Sequence, residues 1–580
     1  MTNRPTVRSH LRLIIAFVSR ILTSVVFCGS QWMQVSRLRL FIGGKSMGVA
    51  VYSHGRPTVR AVGGMVSSAH PLASAAGAKM LEAGGNAFDA IVATAAVLNV
   101  AEPFMSGLAG LGCATVFRAE DRKVRVLDFH PPVPAAFDAS KLDSLDIRDG
   151  ANASGTPGNL AGWCTLASEL GTLPLSTLLT PAIKHAWQGI PVSPFFVEMV
   201  RVSRPRNMQP EWLSTYIDPT DNATLNTVLK QPDLAETLEE IASEGPSYLY
   251  DGPLGRKMAA HLQSLGGCMT EDDLAAVAPV WEEPVVTTYR GLDIHVPPPP
   301  AESFQFLLTM KLLDGIDIGA MGHLSANHLD MVFRAVRLAA EVRIRNNKCS
   351  PARVAELLSE SYIEPLRARL LAPAPITGRT EQFGDGPLPG SVELREHTTS
   401  FSAIDRDGNA VCLTQSLGSM FGSGVVIPGT GVTMNNFMNW GDLHPDSPNR
   451  LIGGERFGMC LAPSISLKDG EAVLALGTPG SYGILQTQAQ AMVHHLDFGL
   501  DLQAAIDAPR ARLWDGAKVN LEARVEESVI EELKRRGHQV GSLKPFSMEC
   551  GGMHAIRRDP KSGALSGAAD SRRDGAAIAL

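Results

Sequence analysis

Beyond its first fifty residues the chain changes character at one place. From residue 60 helical and extended patterns alternate, with helical spacing dominant over 157–270 and 304–371; after a Pro/Gly-rich segment at 372–396, which opens APAPITGRTEQFGDGPLPGS, β-branched runs follow in quick succession. A connector of that length without periodicity is unusual inside a folded unit, and is either functional or disordered. Beyond it, Thr399–Asp405 alternates as a strand, Gly408 supplies the turn in DRDGN, and Ala410–Ser416 forms a second strand. Val425–Ile427, Gly431–Asn435, Ala462–Leu467 and Ala472–Leu476 read as further extended runs. A sheet-rich unit therefore begins where the loop ends.

Upstream, Pro71–Ala83 and Ala87–Asn99 are Ala-rich and apolar at helical spacing, and Gly84-Gly85 between them can end the first helix in a left-handed conformation. Cys113–Arg118 and Val124–Phe129 flank Asp121-Arg122 in the pattern of a hairpin. Helical spacing dominates 157–270 and 304–371, with Pro297–Pro300 a rigid extended break. The 580 residues are 44% hydrophobic and 19% charged, enough apolar material for a substantial core. Against 59 Asp and Glu stand 52 Lys and Arg, a net charge of −7 that argues against nucleic acid as a partner. No apolar run reaches the roughly 18 residues that span a bilayer, so no membrane partner is expected. The eight cysteines are dispersed without a C-x-x-C pair, and the histidines, His494-His495 included, lack carboxylate or cysteine partners in sequence. No metal and no cofactor are expected.

Residues 1–50 stand apart. Arg4, Arg8 and Arg12 precede Leu13–Val18, but Arg20 interrupts the apolar stretch and VVFCGS offers no good small-x-small cleavage site. The segment reads as an extension before a start near Met47, or as a poor signal. The expected compartment is the cytoplasm, or the periplasm or exterior if the segment acts as a signal. Gly44-Lys45-Ser46-Met47-Gly48 fits G-x-S-x-G without the strand–turn–helix context that motif needs, and Arg39 stands where a phosphate loop places its first glycine. Chance accounts for both matches.

Chemistry concentrates at Thr398. If the His397–Thr398 bond were cut, one residue would carry a hydroxyl nucleophile and, in its α-amine with pKa near 8, the base that takes its proton. A Thr-Thr pair entering a strand is also what β-propensity alone produces, so the residues by themselves leave both readings open.

The segment HTTSFSAIDRDGNAVCLTQSLGSMFGSGVVIPGTGVTMNN resembles the start of the small subunit in the γ-glutamyltransferase family of N-terminal nucleophile hydrolases. EAGGNAFDAIVATAAVLNVAEPFMSGLAG (82–110), GTPGNLAGW (155–163), LYDGPLGRKMAAHLQSLGGCMTEDDLA (249–275), LALGTPGSYGILQTQAQ (474–490) and GAADSRRDGAA (567–577) agree in the family's order. The resemblance implies an α+β fold, a four-layer αββα sandwich, and a zymogen that cuts itself autocatalytically into a large subunit, 51–397, and a small subunit, 398–580, which stay associated. It implies Thr398 as nucleophile, with Ser416 at the position of a hydroxyl that orients the amine, and backbone N–H groups of Gly480 and Ser481 as oxyanion donors. Homo-oligomers are possible.

The departures concern the acyl pocket. Where the family's DFR arginine grips a substrate carboxylate this chain has Asp128-Phe129-His130; Phe437 and Trp440 follow Asn435-Asn436 in place of Gln and Asp; Met459 and Cys460 replace paired serines; and Gly418 replaces an asparagine. A polar clamp exchanged for aromatic and apolar side chains disfavours a zwitterionic head group, since a desolvated ion without a partner costs several kcal/mol. Core packing alone would also place apolar residues there. Three functions follow: an amidohydrolase or acylase acting on a non-glutamyl small-molecule amide; a glutathione-cleaving γ-glutamyltransferase with atypical ligands; or a non-catalytic binding protein that keeps the fold.

Overall fold

The alternating stretch after Thr398 forms a hairpin in the middle of a sheet. Thr399–Asp405 pairs antiparallel with Ala410–Ser416, Thr399 opposite Gln415 and Ile404 opposite Ala410, around a turn with Gly408 at φ +90°. The computed structural model describes residues 55–204, 206, 208–216, 227–381 and 397–580. The N-terminal extension with its two chance motifs, and 382–396 of the Pro/Gly-rich segment, lie outside the described residues.

This hairpin occupies the third and fourth places of a seven-stranded antiparallel sheet ordered Ala576–Ala579, Gly64–Ser68, Thr399–Asp405, Ala410–Ser416, Leu111–Arg118, Lys123–Asp128, Val280–Glu282. A second seven-stranded sheet runs Val59–Ala61, Leu565–Ala569, His554–Arg558, Glu471–Gly477, Ser464–Lys468, Leu292–Val296, Val285–Tyr289. Period-2 alternation sends Phe401, Ala403, Val411 and Leu413 toward the helices Pro71–Glu82 and Ala87–Ala101, and Ile404, Ala410 and Cys412 toward Ile465, Ala475 and Ile556 of the other sheet. On the far side, Leu474 and Leu476 pack with Phe304–Leu313, Ala326–Arg345 and Ile484–Leu496. The layers are helix, sheet, sheet, helix. Both faces of the Thr399 strand are covered, which is why every one of its residues is buried although the sequence alternates.

Strands from before and after residue 397 share both sheets, so the two expected subunits are parts of one unit that runs from residue 54 to the end. The paired helices lie where expected, Gly84 ending the first at φ +91° and Asn86 capping the second through Phe88 and Asp89 N–H. That second helix ends at Glu102, which is thereby delivered to the mouth of the Thr399 strand.

Glycines let two loops close on the hairpin. A Cβ on Gly110 would stand 2.1 Å from the Ser416 carbonyl oxygen, and Gly110 O receives N–H donors from Gly158 and Asn159 at 2.7 and 3.0 Å. Gly110→Ala is expected to lower stability by about 1–3 kcal/mol, the usual cost of overpacking, and to slow any chemistry at Ser416; a chemical-denaturation curve unchanged from wild type would contradict it.

Candidate active site

Thr398 is the residue that enters the central strand, and it is 3% exposed. In the intact chain its hydroxyl donates to the carbonyl oxygen of His397 at 2.5 Å and lies 3.3 Å from Ser416 Oγ. Ser416, at the end of the partner strand, donates to that same carbonyl oxygen at 2.9 Å and accepts the Gly418 N–H at 2.9 Å. Register explains the meeting: Thr399 pairs with Gln415, so residues 398 and 416 face each other one step beyond the last pair. Two hydroxyls thus converge on the oxygen of the His397–Thr398 bond.

The strand Glu471–Gly477 ends beside this point, for a Cβ on Gly477 would lie 2.1 Å from Ser400 Oγ. The turn after it holds Gly480 at φ +124°, then a short 3₁₀ turn, Ser481–Gly483, that opens with Ser481 at φ +54° and leads into the helix Ile484–Leu496. A left-handed serine is strained, and the turn's N–H groups stand at the positive end of the helix dipole.

The residues expected from sequence to line the acyl pocket gather in one place. Phe437, Trp440, Met459 and Cys460 are buried in a single cluster with Val133, Leu451, Phe457 and Tyr482, and the His130 ring meets Phe457 edge-on at 4.7 Å between centroids. Burial and the Arg456 guanidinium push the His130 imidazole down to about 3, so it is neutral. Arg456 is itself held by Asp128 at 2.6 Å and Glu282 at 3.3 Å, and burial raises Asp128 to about 7 in spite of that pairing. The Pro297–Pro300 break is pinned to the same cluster, Met459 N–H donating to Pro300 O at 3.2 Å and Glu302 N–H to Met459 O at 2.7 Å. Gly418 has φ +97°, and a Cβ on it would stand 2.4 Å from Asn436 Oδ1 and 3.2 Å from Trp440 Nε1. Asn436 therefore fills the place a side chain at 418 would take, with the Trp440 indole beside it. Through the Gly418 N–H, this aromatic cluster adjoins Ser416.

Three charged residues near these groups carry no role in the sequence reading. Glu102 accepts the Thr399 hydroxyl at 3.0 Å, Arg573 Nη1 donates to Thr398 O at 2.9 Å, and Arg456 braces Asp128. Glu102 and Arg573 lie inside the blocks NVAEPFMSG and GAADSRRDGAA; only the register of the fold brings them to residues 398 and 399. His494 lies in the last turn of the helix Ile484–Leu496 with its Nδ1 3.0 Å from His323 Nε2. Among the described residues no group of three or more His, Cys, Asp or Glu is placed to hold a metal ion, and no helix is long and apolar enough to cross a membrane.

An αββα sandwich with a threonine heading a central strand defines an N-terminal nucleophile hydrolase. The family model for gamma-glutamyltranspeptidase matches residues 73–580, and the chain belongs to that family. It is similar to the acylase ACY 1 proenzyme of Pseudomonas sp. (strain SE83), 35% identical over 536 residues that cover 89% of this chain and 93% of that protein. It is also similar to the glutathione hydrolase proenzyme of Bacillus subtilis (strain 168), 29% identical with 89% and 91% covered. The crystal structure of cephalosporin acylase from Bacillus halodurans superposes with a TM-score of 0.82 at 28% identity, over 92% of this chain and 98% of that one. The chain is accordingly an amide hydrolase or acyltransferase of this family, with relatives made as proenzymes.

Proposed function

We propose that the protein is a self-processing acylase whose nucleophile is Thr398 and whose substrate carries an apolar or uncharged acyl group. The observation that carries the reading is the convergence of the Thr398 and Ser416 hydroxyls on the His397 carbonyl oxygen. In maturation Thr398 Oγ attacks the His397 carbonyl carbon, the C–N bond breaks, and the nitrogen keeps the proton passed from the hydroxyl. Water then hydrolyses the resulting ester, leaving a carboxylate on His397 and a free amine on Thr398. Ser416, already a donor to that oxygen, stabilises the oxyanion of the first step. Once His397 has gone, its hydroxyl is free to turn to the nucleophile 3.3 Å away.

In turnover the new amine takes the Thr398 proton as Oγ attacks the substrate amide. Gly480 and Ser481 N–H groups receive the oxyanion, a contact typically worth about 2.7–4 kcal/mol per donor. The acyl group lies toward Phe437, Trp440 and Met459. Water or an acceptor amine completes the cycle. The test of this reading is a screen of the purified, processed protein against γ-glutamyl, aliphatic-acyl, aromatic-acyl and simple primary amides; hydrolysis confined to γ-glutamyl amides would replace it with a glutathione hydrolase of atypical ligands.

Ser416→Ala removes one of two donors on the scissile oxygen. Its maturation rate is expected to fall roughly a hundredfold, the effect of losing one preorganised oxyanion donor, and the processed fraction is expected to show a lower kcat with little change in KM. Time courses of chain cleavage and steady-state kinetics measure the two effects, and wild-type values in both would reduce Ser416 to a strand residue.

A further inference from the structure

Beside the nucleophile sits a pair of opposite charges that the chemistry above does not use. Arg573 Nη1 donates to the carbonyl oxygen of Thr398 at 2.9 Å, and on the adjoining residue the Thr399 hydroxyl donates to Glu102 Oε2 at 3.0 Å. Both side chains are buried, Arg573 4% and Glu102 1% exposed as residues. One residue's backbone separates Thr398 O from Thr398 N, so the guanidinium stands within about 6 Å of the nitrogen that becomes the α-amine. We propose that Arg573 is a positioning and tuning residue for that amine: it fixes the Thr398 backbone through its carbonyl and keeps the amine in the free-base form, with Glu102 as the opposing charge. The inference rests on Thr398 being the mature N-terminal nucleophile.

The physical argument is one of sign. The amine must be unprotonated to accept the hydroxyl proton, and a cation a few ångströms away disfavours a second positive charge, whereas a carboxylate favours it. Glu102 opposes Arg573 only in part, because burial raises its carboxyl to about 7 and leaves it partly protonated near neutrality. The other ionisable groups around the site are accounted for. Asp574, next to Arg573, is engaged by the Ser193 hydroxyl at 2.6 Å, and Asp570 is held by Arg510 at 2.5 Å and Arg572 at 3.0 Å. His554, on the strand opposite, and His70, following Gly64–Ser68, are pushed down by burial to about 3 and about 4 and are neutral. The His397 imidazole adjoins the bond to be cut, and the carboxylate created there adds an anion when cleavage is complete.

The titration of the α-amine can be read without any substrate. The pH dependence of acetylation of the Thr398 amine by acetic anhydride is followed by the mass of the small chain's N-terminal peptide, for wild type, Arg573→Gln, Arg573→Lys and Glu102→Gln. Relative to wild type, Arg573→Gln is expected to raise the midpoint by about one pH unit and the acid limb of kcat/KM with it. Arg573→Lys keeps the charge and is expected to hold the midpoint, while Glu102→Gln is expected to lower it. A wild type with no Thr398 amine to label would refute the nucleophile assignment itself. A processed Arg573→Gln with the wild-type midpoint would overturn the tuning role alone. Should Arg573→Gln stay uncut, an unmoved midpoint in Glu102→Gln overturns it as well, and so does failure of all three variants to mature, since that would place the pair's role in folding.

Discussion

Thr398→Ala is expected to give one uncut chain of 580 residues without measurable amidase activity, where the wild type separates into chains of 397 and 183 residues, the smaller beginning with Thr398. The substitution removes the attacking oxygen of both reactions at once. In maturation Ser416 does not replace it, because its hydroxyl reaches the carbonyl from across the hairpin and is not on the residue whose nitrogen leaves, so attack from there would give up the contact to the oxyanion. In turnover the loss is on the order of 10⁶ in kcat, the size seen when an acyl-transfer nucleophile is removed. The side chain is small and lies at the strand's first step, outside the two main cores, so the fold is expected to survive; circular dichroism and denaturation separate that outcome from misfolding. Thr398→Ser, which keeps the oxygen, is expected to mature. A fully active wild type that remains one chain, or a Thr398→Ala variant that is cut at the same bond, would remove Thr398 from the mechanism.

Much of this site could be read from the chain before folding. The Thr399–Asp405 and Ala410–Ser416 strands and the Gly408 turn are local: period-2 alternation and a glycine turn signal place them within a residue or two, and their register puts Thr398 opposite Ser416. Ser481 is left-handed, a conformation glycine adopts without strain, and its part in the site is played by its backbone N–H. What stayed hidden was non-local. The strands Gly64–Ser68 and Leu565–Ala569 are rich in small residues, and they become strands because neighbours across the sheet pair with them. A helix-rich half followed by a sheet-rich half was therefore too simple: each half lends strands to both sheets. Glu102 and Arg573 stayed without a role for the same reason, since 471 positions of sequence separate two residues that the sheets bring to one hairpin. The packing of Gly418 against Asn436 and the Trp440 indole is of this kind too, because residues apart in sequence meet there in the fold.

The aromatic cluster around His130 gives the second large effect. Hydrolysis of glutathione and of other γ-glutamyl amides is expected to be at least about a hundredfold less efficient than that of amides of apolar or uncharged acids. Lost polar contacts cost about 1–3 kcal/mol each, more for ions, and 1.4 kcal/mol is tenfold. Where a zwitterionic head group would sit, the cluster offers a neutral His130 against Phe457, with Phe437, Trp440 and Met459 around it. Arg456 is close, but Asp128 and Glu282 already occupy its guanidinium, so it is not a free carboxylate clamp. His130→Arg is expected to recover little activity on glutathione, for two reasons. It sets a second guanidinium beside Arg456, and it leaves the ammonium end of the substrate against the aromatic wall. Gly418→Asn is expected to be worse than wild type on every substrate, with or without Trp440 replaced, because at φ +97° its Cβ would stand 2.4 Å from Asn436 Oδ1. The measurement is kcat/KM for glutathione beside a phenylacetyl or aliphatic amide, in wild type, His130→Arg, Gly418→Asn and the Gly418→Asn/Trp440→Asp pair. If wild type cleaves glutathione at about 10⁴ M⁻¹s⁻¹ or faster, within the ordinary range for enzymes, the aromatic cluster is core rather than acyl pocket, and the glutamyl head group is read by residues elsewhere.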